Sequence, residues 1–356
     1  MKIVIFTQFL KGGGAERRAA VYADYFYKNN IDVSVVTMYK VDNEYHIDEK
    51  IPRYYVSESR EDYKKVSKKQ RVKILKKFLA ELKPDFLFSF LPIFSLYAIL
   101  ATKFSKKNKA IKNIYSITLY QRKYSFFSRL IDFFDCLFAD IISLQCKEQL
   151  KCNRLFKKEC IVNYNPIQDR WNEDIKRDYS KLSIVSAGRL TKQKNFKLAI
   201  RSVALAHSEN PNITLTIYGD GKLKDKLNAE IAKLNASSYI KIQPYSENIS
   251  EIFKRSNMFI SSSKYEGFPN SLLEAMMSGL VCLSTPCPTG PSEIIQNGEN
   301  GYLCKNANDF SKVIIMLSKN PELCAEISEN ARKSAKSRFE DCVVLPILLD
   351  SIKLAK

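Results

Sequence analysis

The sequence predicts an α/β protein made of two doubly wound parallel sheets, and three observations lead there. Short apolar runs alternate with stretches of helical periodicity along the chain, the pattern of repeated βα units whose strands are covered by helices on both faces. The alternation breaks once, where Asn163-Tyr164-Asn165-Pro166-Ile167 opens a polar run to Ser180. The 356 residues exceed one ordinary core, because single cores stop growing near about 250–300 residues.

Taken in order, the first series places strands near 3–7, 32–38, 86–90, 113–118, 140–144 and 160–163. It opens on Lys2-Ile3-Val4-Ile5-Phe6-Thr7, a buried-strand pattern, and passes through Gln8 to Arg18 into an Ala- and Tyr-rich helical stretch ending near Lys28. Between Tyr63 and Leu82 the spacing of Val72, Leu75, Leu79 and Leu82 gives one apolar stripe on a helix, with Lys64, Lys65, Lys68, Lys69, Arg71, Lys73, Lys76 and Lys77 around the rest. That stripe packs on the domain or on a bilayer, and the basic residues suit an anionic membrane surface. Phe86 to Thr102 is uncharged, but Pro92 follows a strand-like half, so a strand and a helix are expected there and not a membrane span. The second series places strands near 182–187, 213–218, 239–242, 258–261, 281–284 and 301–304, and a helix closes the chain from about Asp341 to Leu354. Domains over residues 1–167 and 168–338 follow, with 339–356 left over.

Composition narrows the function classes. Hydrophobic residues make up 45% of the chain, ample for two cores and too many for a disordered one. Nine cysteines, at 136, 146, 152, 160, 282, 287, 304, 324 and 342, form no Cys-x-x-Cys, and the amino terminus does not read as a secretory signal. They are expected to be reduced, mostly buried thiols of a cytoplasmic protein. With two histidines in all, Cys146 and Cys152 do not make a zinc site, and no metal site is expected. The net charge of +19 is uneven: residues 1–168 hold 31 Lys and Arg against 17 Asp and Glu. Such an excess implies an anionic partner. No RNA- or DNA-reading motif accompanies it, so a membrane face explains it better than nucleic acid.

Three short elements carry the chemistry. In Asn257 to Val281 an apolar strand leads through Tyr265-Glu266-Gly267-Phe268-Pro269 into a helix containing Glu274, with Asn270 and Ser271 as candidate caps. A helix start suits a phosphate, and the Glu274 carboxylate can accept two hydrogen bonds from a vicinal diol. Upstream, Leu182-Ser183-Ile184-Val185-Ser186-Ala187 reads as a strand followed by Gly188-Arg189-Leu190-Thr191-Lys192-Gln193-Lys194-Asn195-Phe196. Gly188 lets the chain turn sharply, which puts Arg189 and Lys194 at the carboxyl edge of a strand, where two cations can neutralise a diphosphate. At the amino terminus, Gly12, Gly13 and Gly14 separate the first strand from the first helix and allow a phosphate to approach the backbone.

Together these elements resemble the retaining nucleotide-sugar glycosyltransferases of the group 1 family, built from two Rossmann-like domains facing a cleft (GT-B), which include many bacterial capsule and lipopolysaccharide transferases. The string Tyr265 to Ala275 is similar to that family's Glu-x7-Glu motif, Gly188-Arg189-x4-Lys194 to its diphosphate clamp, and Gly13-Gly14-Ala15-Glu16-Arg17 to its amino-terminal motif. The resemblance implies that Glu266 contacts the donor sugar and Glu274 the ribose. It implies that Arg189 and Lys194 hold the diphosphate, and that Gly13 and Gly14 meet it through their backbone. Glu266, Arg189 and Lys194 are accordingly the candidate catalytic residues. The donor-binding set is Gly13, Gly14, Gly188, Arg189, Lys194, Tyr245, Glu266, Gly267, Phe268, Pro269, Asn270, Ser271, Leu272 and Glu274. Loops Tyr218-Gly219-Asp220-Gly221 and Tyr245 border the base in relatives, or serve as turns only. Pro288 to Glu293 resembles a loop of galactose and N-acetylhexosamine transferases. The terminal helix is expected to pack back on the first domain.

One departure stands out. Many relatives place a histidine in the loop read here as Tyr115 to Lys123, and this chain has none there. Either Thr118, Tyr120 or another neighbour holds the sugar, or the contact is dispensable, and no general base is assigned. The expected activity is retaining transfer of a hexose or N-acetylhexosamine from a nucleotide sugar, UDP-linked, to a lipid-linked or surface-glycan acceptor. It would proceed without cofactor or metal, at the inner face of the cell membrane. The competing readings are a same-fold epimerase or phosphorylase, or a basic nucleic-acid-binding protein.

Overall fold

A computed structural model of the chain describes all residues except 118–124, 154–155, 169–174, 176 and 356, and the side chains of 152 and 153. The chain divides into two compact units, Met1–Pro166 with Val344–Lys356, and Ile167–Val343.

The first unit runs β1 (Lys2–Thr7), α1 (Gly14–Lys28), β2 (Asp32–Tyr39), β3 (Arg53–Ser57), α2 (Arg60–Lys65), α3 (Lys68–Leu82), β4 (Phe86–Phe90), α4 (Pro92–Thr102), β5 (Lys112–Ser116), α5 (Phe126–Phe138), β6 (Ile141–Leu144) and β7 (Glu159–Val162). All pairings are parallel, in the order β3-β2-β1-β4-β5-β6-β7, with the switch in direction between β1 and β4. Strand β1 shows why the sheet is covered on both faces. Ile3 and Ile5 join the cluster of Ala19, Ala23 and Phe26, while Val4 and Phe6 join that of Leu75, Leu79, Phe94 and Tyr97, as the period of two requires.

The second unit runs β8 (Ser183–Ala187), α6 (Phe196–Glu209), β9 (Thr214–Tyr218), α7 (Lys224–Lys233), β10 (Ile240–Gln243), α8 (Ile249–Lys254), β11 (Met258–Ser261), α9 (Asn270–Met277), β12 (Val281–Ser284), α10 (Pro291–Ile294), β13 (Tyr302–Leu303), α11 (Ala307–Ser318) and α12 (Pro321–Phe339). Its sheet is again parallel, in the order β10-β9-β8-β11-β12-β13, and the switch lies between β8 and β11. Helix α13 (Asp341–Leu354) then returns to the first unit. Its Leu345, Leu348, Leu349 and Ile352 enter the cluster around Ile3 and Ile5, and Lys112 Nζ donates to Ala355 O at 2.6 Å.

One local difference from the sequence reading has a physical reason. Strand β3 has no counterpart among the expected strands: Arg53, Tyr54 and Tyr55 are only partly buried, because an edge strand lacks the continuous apolar run that marks a central one. The Val72-Leu75-Leu79-Leu82 stripe of α3 is taken up by the core, with Leu75 and Leu79 buried and Val72 and Leu82 packed beside them. Only the lysine-bearing surface of α3 therefore faces outward. Residues 86–102 form β4 and α4 as expected, and no helix among the described residues is long and apolar enough to cross a membrane.

Cys282, Cys287, Cys304, Cys324 and Cys342 are free thiols, all but Cys342 buried. Burial pushes Cys287 and Cys304 up to about 12 and Cys324 up to about 11.

Helix α5 hides two carboxylates. Tyr115 donates its hydroxyl to Asp132 Oδ1 at 2.5 Å, whereas neither oxygen of the fully buried Asp135 has a hydrogen-bond partner among the described residues. Burial, with the nearby Asp132 second, pushes the Asp135 carboxyl up to about 9. A carboxyl whose folded pKa is raised contributes most below its unfolded value of 3.8 and loses that contribution as pH rises towards 9. Asp135→Asn is thus expected to match the wild type in acid and exceed it increasingly at higher pH, by at most about 1.4 kcal/mol per pH unit. Urea unfolding across that range checks this, and parallel curves at every pH would refute it.

Candidate active site

Strands β8 and β11 are neighbours, with Ile184 opposite Met258 and Val185 opposite Phe259. Their carboxyl ends open at the switch point, where open α/β sheets bind ligands. From β8 the chain turns at Gly188, at φ +147°. The turn is then fixed by backbone pairing to the loop after β9: Gly188 N donates to Tyr218 O at 3.0 Å and Leu190 N to Asp220 O at 2.8 Å. The approach is close enough that a Cβ at residue 219 would lie 2.0 Å from Gly188 O, so Gly219 is a packing requirement.

A second loop, from Ser262 to Pro269, is bonded to the first. Ser262 Oγ donates to Lys194 O at 2.9 Å, Lys264 N to Gln193 O at 2.8 Å, and Gln193 Nε2 to Tyr265 O at 3.1 Å. These bonds bring together the two motifs, 72 residues apart in sequence, so that Lys194 Nζ lies 2.7 Å from Glu266 Oε1. The Glu266 side chain is 8% exposed and that of Lys194 18%. Ser263 Oγ donates to the same Oε1 at 2.5 Å, and Gln193 Nε2 reaches Oε2 at 3.4 Å. A buried ion pair persists only when further hydrogen bonds satisfy it, and Ser263 and Gln193 supply them. From the far side, Glu266 N donates to Pro288 O at 3.1 Å and Thr289 Oγ1 donates to Glu266 O. Thr289 adopts φ +63°, unusual for a β-branched residue. At the neighbouring Gly290 a Cβ would lie 2.6 Å from Pro269 Cδ. The Pro288 to Gly290 loop thus braces the Glu266 loop.

The remaining candidates fall into place around this pair. Gly267, Phe268, Pro269 and Leu272 are buried, and Asn270 and Ser271 are partly buried. Helix α9 begins differently from the expectation: Pro269 is its N-cap, Asn270 its first residue, and no side chain caps it. Proline's fixed φ, here −79°, ends the loop there without a side-chain acceptor. Glu274 lies in the second turn and is 7% exposed, so it is not an ordinary solvent carboxylate. Arg189 is exposed, and no carboxylate among the described residues pairs with it. Tyr245 is 69% exposed, its N–H donating to Asp220 Oδ2 at 3.0 Å. Gly13 and Gly14 belong to the first unit, at the N-cap and first residue of α1, where the Glu16 carboxylate folds back over Gly13. Thr118 and Tyr120 lie outside the described residues.

Sequence reading missed three braces of Glu266. Gln193 stands inside the Gly-Arg-x4-Lys spacing and Ser263 three residues before Glu266, but polar residues in loops give no sign of which carboxylate they will meet. Thr289 lay within a loop singled out for a different reason.

Residues 167–334 match the family described as glycosyl transferases group 1. An uncharacterized glycosyltransferase of Methanocaldococcus jannaschii is 32% identical over 252 residues, 64% of this chain and 61% of that protein. The GtfA subunit of the UDP-N-acetylglucosamine–peptide N-acetylglucosaminyltransferase of Streptococcus pneumoniae is 31% identical over 155 residues, 44% of this chain and 31% of that subunit. The chain therefore spans less than two thirds of the length of these relatives. The structure of Anabaena HepE in complex with UDP and glucose superposes with a TM-score of 0.81, covering 99% of this chain and 100% of that one at 16% identity. That likeness shows the fold, the two-domain GT-B architecture. The likeness to the glycosyl transferases group 1 family thus spans residues 167–334, somewhat under half of the chain.

Proposed function

We propose that the protein is a retaining glycosyltransferase that moves a hexose or N-acetylhexosamine from a UDP-sugar to a lipid-linked or surface-glycan acceptor in bacterial polysaccharide assembly. The observation that carries this reading is the Lys194–Glu266 pair, which joins the Gly188-Arg189-x4-Lys194 loop to the Glu266-x7-Glu274 segment at the switch point of the second sheet. The names of similar proteins support the donor class, since one uses UDP-N-acetylglucosamine and another was solved with UDP and glucose.

In this reading the bond from the sugar's anomeric carbon to the diphosphate breaks as the acceptor oxygen bonds to that carbon on the same face. The acceptor's proton passes to the leaving diphosphate, so the configuration is retained and no enzymic base is required. Arg189 and Lys194 stabilise the charge that develops on the diphosphate, the largest single contribution open to such a site. Glu266, held by Lys194, Ser263 and Gln193, orients the sugar, and Glu274 accepts from the ribose hydroxyls. Two cations in this role make a divalent metal unnecessary, and the chain has no Asp-x-Asp to hold one. The enzyme would work as a peripheral protein at the inner membrane face.

Thermal shift against a panel of nucleotide sugars, with EDTA present throughout, tests this. Stabilisation by a UDP-hexose or UDP-N-acetylhexosamine is expected, about 2.7 kcal/mol at a hundred times the dissociation constant. No shift with any UDP-sugar would refute the donor assignment, and a shift that appears only when manganese or magnesium replaces EDTA would refute metal independence.

A further inference from the structure

Helix α5 carries its polarity inside out. Asp132, Asp135 and Cys136 are buried, while Phe126, Phe127, Leu130, Phe133 and Leu137 are exposed by 78, 66, 53, 53 and 46%. Phe126, Leu130, Phe133 and Leu137 follow one another at steps of four, three and four, so they form a single stripe on the outer face. The patch continues beyond the helix. Phe104, 53% exposed, packs against Phe134 and Phe138 with ring centroids 6.3 and 5.6 Å apart, and Phe156 lies 5.1 Å from Phe133. A contiguous apolar surface of this kind marks an interaction site.

The rim of the patch indicates its occupant. Arg129 is exposed on the helix beside the stripe, Lys106, Lys107 and Lys109 are exposed just after Phe104, and Lys157 is exposed just after Phe156. Asp140, at the end of the helix, is already paired with Lys103 at 2.7 Å. Aromatic and leucine side chains bordered by Lys and Arg suit the interface of an anionic bilayer, where the rings enter the acyl boundary and the cations meet headgroups. A second copy of the chain related by a two-fold axis would instead set this basic rim against itself.

We propose that α5, with Phe104 and its lysine rim, is a membrane-inserting surface that seats the enzyme on anionic lipid. The proposal deepens the peripheral-membrane part of the functional reading and rests on it. It also changes the place and nature of the anchor: α3 has spent its apolar stripe on the core and can meet lipid only through charge.

The test uses the full chain and sedimentation with vesicles of phosphatidylcholine alone or mixed with phosphatidylglycerol, at low and high salt. Wild type is expected to bind the anionic vesicles and to keep a part of that binding at high salt, because salt screens charges and not inserted rings. The triple variant F126S/F127S/F133S is expected to lose about tenfold or more in partitioning and all of the salt-resistant part, with its melting temperature and its shift with UDP unchanged. Reversal of Lys68, Lys69, Lys76 and Lys77 to Glu is expected to reduce only the salt-sensitive part. Wild-type partitioning by the triple variant would overturn the proposal. So would a wild type that binds no vesicles and self-associates through this face, with the triple variant monomeric. Absence of any UDP shift in the wild type would count against the donor assignment and leave the vesicle result to be judged by itself.

Discussion

Lys194→Ala is expected to lower kcat/KM by about 100-fold or more and to lower the melting temperature as well. Arg189→Ala is expected to lose activity comparably at unchanged stability. The difference comes from what each cation touches. Lys194 is bonded to Glu266 at 2.7 Å, and both side chains are largely buried, so its removal leaves a carboxylate with only Ser263 and Gln193 for support. Breaking one side of a buried pair typically costs about 3–5 kcal/mol. Ser263 and Gln193 already satisfy part of Glu266, which argues for the lower end of that range. Arg189 is exposed and pairs with no carboxylate among the described residues, so its deletion removes nothing the folded chain depends on. Glu274→Ala is expected to weaken donor binding, seen as a rise in KM and a smaller thermal shift with UDP. Steady-state kinetics with melting curves on the three variants check these outcomes. Near-wild-type turnover in all three would show that the motifs do not form the donor site.

Arg177→Ala is expected to destabilise the second unit by about 3 kcal/mol or more, without touching any proposed donor contact. Arg177 Nε donates to Gly279 O at 2.9 Å, Nη1 to Phe253 O at 2.9 Å and Lys254 O at 3.1 Å, and Nη2 to Ser278 O at 2.5 Å. Nη1 also bonds Ser256 O. These carbonyls lie at and just beyond the carboxyl ends of α8 and α9, where the last turns of a helix leave acceptors without intrahelical partners. Each buried acceptor left unsatisfied costs about 1–3 kcal/mol. Burial holds the guanidinium below the ordinary arginine range, a measure of how far it has been taken from water. Arg177→Lys should rescue little, because an ammonium cannot reach carbonyls arranged around a planar fork. Urea unfolding followed by circular dichroism decides this, and a variant within about 0.5 kcal/mol of wild type would show the carbonyls to be served otherwise.

Arg177 also shows where sequence reading stops. It stands in the polar run after Asn163, a stretch whose composition reads as connector, and nothing nearby in sequence signals that it will gather carbonyls from residues 76 to 102 positions further on. Gln193, Ser263 and Thr289 escaped notice for the same reason: a polar side chain in a loop has no periodicity, and its partner is set by how two loops are packed. Strand β3 was hidden because edge strands are bounded on one side only. The α3 stripe was legible, but sequence left open whether protein or lipid would cover it, and the packing of Leu75 and Leu79 into the first core decided for protein. Helix α5 went unread as a surface because a run rich in phenylalanine looks like core until neighbouring elements show which face is left over.

What the sequence determined by itself is the alternation of strand and helix, the double parallel sheet and the two motifs around Gly188 and Glu266. Each of these rests on local causes: apolar period, turn chemistry at Gly and Pro, and residue types at fixed spacing. What only the tertiary structure decided is who meets whom. Adjacent placement of β8 and β11 brings Lys194 to Glu266 across 72 residues, the loop after β9 approaches Gly188 closely enough to require Gly219, and the acids of α5 turn inward while its rings face out. Such pairings depend on strand order and on the faces that remain after the cores are filled, and neither quantity is written in any short stretch of chain.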